Sequence, residues 1–72
     1  MPLSMINIGE KARVANIHGS DAVRRHLGSL GFVPGAVVTV VQVMGGNMIL
    51  GLQDSRIAIN DDLARRVMVQ AA

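Results

Sequence analysis

Few residues of this chain carry groups able to do chemistry, and their spacing restricts what they could do. The only histidines are His18 and His26. A stable divalent transition-metal site needs three or more converging N, O or S ligands. Glu10, His18 and Asp21 supply such atoms, but nothing in their spacing requires them to meet. Both histidines read as ordinary core or surface side chains. The chain has no cysteine, which removes disulfides, thiolate metal sites and thiol nucleophiles. No serine–histidine–acid set or paired carboxylate stands out. Gly45-Gly46 is too short for a phosphate-cradling loop and lacks the lysine that follows one, so it reads as a hairpin turn. Met44 and Met48 flank that turn, and methionine most often serves as flexible apolar packing. The expectation is a non-enzymatic protein with no metal and no cofactor. What remains are the groups of a contact surface: Arg24, Arg25, Leu27 and Phe32 around one helix end, and Met44 and Met48 at a hairpin. Arginine and methionine are enriched at protein interfaces, so these six residues are the candidate partner-binding set; the alternative is that Arg24 and Arg25 are merely a solvated face.

The elements that must position them are legible from local signals. Lys11–Ile17 alternates and reads as a first strand, with Val14 inward and Asn16 on the same side as Ala12 and Val14. Ser20 is placed to cap a helix, and Asp21 complements the positive end of its dipole. Val23, Leu27 and Leu30 form one apolar stripe, with Arg24 and Arg25 off it. Gly31 sits where a left-handed residue would end the helix, with Phe32 packing back on Leu27. Pro34-Gly35 suits the centre of a type II turn. Ala36–Val43 reads as a strand apolar on both sides, with Val37, Val41 and Val43 on one face and Val38 and Val40 on the other. Met44–Asn47 reads as a hairpin loop, Met48–Leu52 as the return strand, and Arg56–Ile59 as the next. Asn60 caps a short helical turn, with Asp61 and Asp62 at its start and Arg65 and Arg66 at its end. Val67–Val69 closes the pattern, and Gln70–Ala72 reads as a frayed tail.

This order predicts a mainly β fold: a small, SH3-like, partly open β-barrel of about five strands. One short α-helix follows the first strand, and a one-turn helix precedes the last. At 72 residues the expectation is a single domain over residues 1–72. A chain of this size buries only about 60 % of its unfolded surface. Half of its residues are hydrophobic, with Phe32 the only aromatic, and the mean hydropathy is +0.40. That is more than so small a core easily encloses, which leaves two readings: an apolar patch that faces a partner, or a compact valine-rich core with a few exposed aliphatics.

The sequence pI is 10.6, yet the net charge is only +2 and the basic residues are dispersed. Steering toward nucleic acid needs clustered charge, and single-strand binding needs aromatic platforms. Neither is present, so no nucleic-acid partner is expected; a small nucleic-acid-binding barrel is the alternative reading. No secretory signal pattern is evident and no apolar run approaches the ~20 residues of a membrane span. A cytoplasmic protein without direct membrane insertion is expected.

Several segments resemble the ferrous iron transport protein A (FeoA) family of small bacterial SH3-like domains. They are Ile8-Gly9-Glu10, Arg24 through Gly35 across the helix and turn, the valine strand after it, the Gly45-Gly46 loop, and Ile57-Ala58-Ile59 through Ala64 to Val67-Met68-Val69. The similarity runs nearly the length of the chain. It implies an accessory role beside the membrane Fe(II) permease, ferrous iron transport protein B, which carries a cytoplasmic GTPase domain. The small protein would dock on that cytoplasmic region and modulate uptake, peripheral to the membrane through its partner. Related domains fused to metal-dependent repressors act as interaction modules. Homo-oligomerisation through exposed valine edges is a further possibility for an interaction module of this kind.

Overall fold

The computed structural model describes residues 1–72. A 3-10 turn at Leu3–Met5 leads into β1 (Lys11–Ile17), α1 (Asp21–Ser29), β2 (Val37–Met44), β3 (Asn47–Leu52), β4 (Ser55–Asn60), α2 (Asp61–Ala64) and β5 (Val67–Ala71). All strand pairings are antiparallel, and the sheet order is β4-β3-β2-β1-β5. The sheet does not close, because β4 and β5 are its two ends. The β5 edge is covered by the start of the chain. The Val69 amide donates to the Met1 carbonyl at 2.7 Å, and the Met1 ammonium donates to the Val69 carbonyl at 3.0 Å. The β4 edge has no strand beyond it.

The helix signals act as expected. Ser20 Oγ accepts from the Val23 amide at 3.2 Å, and Asn60 Oδ1 accepts from the Leu63 amide at 2.8 Å. Both satisfy amides that a helix start leaves without partners. At the end of α1 the Phe32 amide donates to the Leu27 carbonyl at 3.1 Å, and the Gly31 amide to the Gly28 carbonyl at 3.0 Å. With Gly31 at φ +110, this is a Schellman ending. The Ala36 amide then donates to the Val33 carbonyl at 3.0 Å across a turn whose third residue, Gly35, has φ +91, as a type II turn requires.

Three expectations are corrected. The β2–β3 loop is only Gly45-Gly46, since both residues adopt positive φ and make the tight two-residue hairpin that matches strand twist. The strands therefore extend to Met44 and back from Asn47. The tail is not frayed: β5 runs to Ala71, with Gln70 opposite Arg13 and Ala71 opposite Ala12, because β1 offers backbone partners that far. Finally, two bulges break the alternation. The register shifts between Val40 and Gln42 on β2, and one extra residue turns every later side chain to the other face. Val43 thus lies opposite Met48, on the face of Val38 and Val40 rather than that of Val37. A second shift between Val14 and Asn16 sets Asn16 opposite Met68 on the outer face.

The inner face of the sheet and the two helices enclose one core. It draws alternate residues from every strand, with Leu27 and Phe32 from the α1 end, Ala64 from α2 and Leu3 from the 3-10 turn. Each fully buried leucine or phenylalanine stabilises by roughly 1.5–3 kcal/mol relative to exposure. No polar or charged residue is buried.

Candidate functional site

The capping of α1 decides which of its side chains meet solvent. Leu27 points into the core, while Arg24 on the flank of the helix and Arg25 on its far side are exposed. Arg24 Nη2 is 3.2 Å from Asp21 Oδ1, with both side chains exposed. Such a surface pair contributes at most about 1 kcal/mol. Arg25 takes part in none of the three salt bridges of the chain. Just past α2, by contrast, both Arg65 and Arg66 are engaged. Arg65 Nε and Nη2 donate to Asp61 Oδ2 at 2.8 and 2.6 Å, and Arg66 Nη2 lies 3.7 Å from Asp62 Oδ2. The hydrogen bond from Arg65 to Asp61, aided by the Asp61 charge, raises the Arg65 pKa above its ordinary value.

The six residues expected at a contact surface separate. Leu27 and Phe32 are wholly buried and Met48 is 3 % exposed, so none of the three offers its side chain to a partner. The helix stripe turns Leu27 inward, the Schellman closure folds Phe32 beneath it, and Met48 faces the core opposite Ile59. They hold the surface in place from below. Arg24, Arg25 and Met44 are exposed, and Met44 is remote from the C-terminal end of α1. The C-terminal end of α1 lies at Leu52, where a Cβ on Gly31 would sit 3.5 Å from Leu52 Cδ1. Met44 is opposite Asn47 at the other end of β3, roughly 17 Å away at the usual strand rise. Met44 belongs instead to the α2 end, where the Asp61 amide donates to the Gly46 carbonyl at 2.9 Å.

No group of three or more His, Cys, Asp or Glu side chains is arranged to hold a metal ion, and His18 and His26 are both exposed. Sequence reasoning missed a different cluster of charge. Lys11, Arg13 and Arg56 all project from the outer face of the sheet. The register sets Lys11 opposite Thr39, Thr39 opposite Gly51, and Gly51 opposite Arg56. The alternation of Lys11 and Arg13 hinted at half of this face. Nothing local could have placed Arg56 in the same row.

These features fit one family. The model of the FeoA domain matches residues 1–71. Comparison with curated proteins finds no match. A crystal structure of an iron uptake regulatory protein (FeoA) is similar to this chain at 40 % identity and a TM-score of 0.92, covering 100 % of this chain and 96 % of that one. FeoA from Stenotrophomonas maltophilia, a prokaryotic SH3 domain protein solved with zinc and discussed as a ferrous iron transport activating factor, is 33 % identical. Its TM-score is 0.85, over 97 % of this chain and 89 % of that one. A manganese-dependent transcriptional repressor, at 16 % identity and a TM-score of 0.90 over 100 % of this chain and 41 % of that one, shares the fold alone. With its end-to-end match and its open five-stranded sheet closed over by a Schellman-terminated helix, the chain belongs to the FeoA family of SH3-like domains.

Proposed function

We propose that this protein is a non-enzymatic accessory factor of bacterial ferrous iron uptake. It docks on the cytoplasmic region of the membrane Fe(II) permease, beside its GTPase domain, and modulates transport from the cytoplasmic side. Family membership over residues 1–71 carries this reading. The exposed Arg24–Arg25 face of α1 supports it, since Arg25 has no ion-pair partner within the chain. No helix is long and apolar enough to cross a membrane; in this reading the partner holds the domain at the membrane. The mechanism is differential binding: the domain can shift the permease only by preferring one of its states.

Calorimetric titration of the permease's cytoplasmic region with the Arg24→Ala, Arg25→Ala variant tests the contact. The variant should keep the parent's circular dichroism and bind more weakly. Unchanged affinity would remove these arginines from the interface. The free edge of β4 favours a second reading, self-association by strand pairing. Light scattering that gives a monomer mass across the working concentration range excludes it.

A further inference from the structure

The outer face of the sheet carries a residue that the fold does not need. Gly51 sits inside β3, between β2 and β4. A glycine in a strand interior weakens it, because it loses the most entropy on folding and packs no side chain. Gly51 is not among the glycines with positive φ. A Cβ there would meet Val41 Cγ2 at 3.8 Å and Thr39 Cβ at 3.9 Å, which is ordinary contact. Neither conformation nor crowding calls for glycine. What its missing side chain does is lower the surface between two cations.

Lys11 and Arg56 flank Gly51 in the row that crosses four strands, about 14 Å apart at the usual strand spacing. Arg13 lies two residues along β1 on the same face. Of the seven lysines and arginines, Arg24, Arg65 and Arg66 form salt bridges. Three of the remaining four are on this face, and no acid shares the row. A trough of about 440 Å3 opens here, bordered by Lys11, Thr39 and Gly51; at Ala36, Val37 and Gln53 it meets a second, of about 550 Å3, that runs round the end of the sheet between Leu30 and Gly31 at the end of α1 and Arg56 on β4. These volumes are those of ligand clefts, but both are open depressions that suit an extended chain. Val33 and Val37, 48 % and 39 % exposed, give the trough apolar walls. Arg13 Nη1 donates to the Gly35 carbonyl at 3.1 Å and ties the α1–β2 turn to the sheet.

We propose that this trough binds an extended acidic segment of a partner protein. Aliphatic side chains of the segment lie over Gly51 and against Val37, while its carboxylates reach Lys11, Arg13 and Arg56. The mixed apolar lining favours a peptide over a nucleic acid, which would need denser charge and aromatic stacking surfaces. The proposal stands apart from the docking of α1, and its test does not use the permease.

The probe is a short fluorescein-labelled peptide alternating Asp and Leu, followed by anisotropy and by heteronuclear NMR of the full chain. Amide shifts should gather at Lys11, Val37, Gly51 and Arg56, and binding should weaken with salt. The Lys11→Gln, Arg56→Gln variant should bind about fivefold more weakly, the effect of two exposed ion pairs. Gly51→Val should fold at least as stably as the parent and lose binding further, with Gly51→Ala intermediate. Absence of binding, shifts centred on Arg24 and Arg25, undiminished affinity in Gly51→Val, or equal binding of an Asn–Leu peptide would each overturn the proposal. So would displacement of the peptide by a single-stranded oligonucleotide of higher affinity.

Discussion

Two glycines three residues apart, Gly28 and Gly31, should respond to the same substitution with opposite signs. Gly28 lies within α1 and a Cβ there meets nothing within 4 Å. Alanine at such a site removes the backbone freedom of glycine in the unfolded chain without a steric cost, a gain of about 0.5–1 kcal/mol. Gly31 also has room, since its nearest neighbour would be Leu52 Cδ1 at 3.5 Å. Its φ of +110, however, lies where an L-residue is strained by roughly 1–3 kcal/mol. After the unfolded-state gain is allowed for, Gly31→Ala should destabilise by about 1–2 kcal/mol. The two variants should therefore differ by about 2–3 kcal/mol, or roughly 10–20 °C in Tm for a domain of this size. Urea and thermal unfolding followed by far-UV circular dichroism measure the gap, with an unchanged m-value showing that the same surface is exposed. If Gly31→Ala is as stable as the parent, or if both variants shift in one direction, the left-handed termination of α1 is wrong.

The remaining predictions concern the core and the caps. Phe32→Ala removes the largest fully buried side chain and should cost about 3–5 kcal/mol. That is a large share of the ~4–11 kcal/mol available to a chain of this length, so the Tm should fall sharply; a shift under a few degrees would place Phe32 outside the core. Ser20→Ala and Asn60→Ala each remove an oxygen that accepts a helix amide, and each should lower stability by about 1 kcal/mol in urea titration. Because α1 and α2 share neither cap, the two losses should add in the double variant to within about 0.5 kcal/mol.

Where sequence and structure agree, the cause is local. The Schellman ending needs only Leu27, Gly31 and Phe32 at fixed spacing, and the cap of α2 only Asn60 with Leu63. Where they differ, the cause crosses strands. Val43 changed faces because Val41 lies within a bulge, and no neighbour in sequence announces one. Phe32 and Met48 looked available to a partner because their types recur at interfaces. Burial, which depends on what packs above them, withdrew both. Gly51 looked like an ordinary strand residue until register set it between Lys11 and Arg56.

The chain by itself thus determined its helix ends, its glycine turns and its family, since each depends on the conformational limits of residues a few positions apart. Only the tertiary structure decided which apolar residues lie inside and which cations share a face. Those properties arise from juxtaposing segments distant in sequence. A single inserted residue in one strand is enough to reverse them.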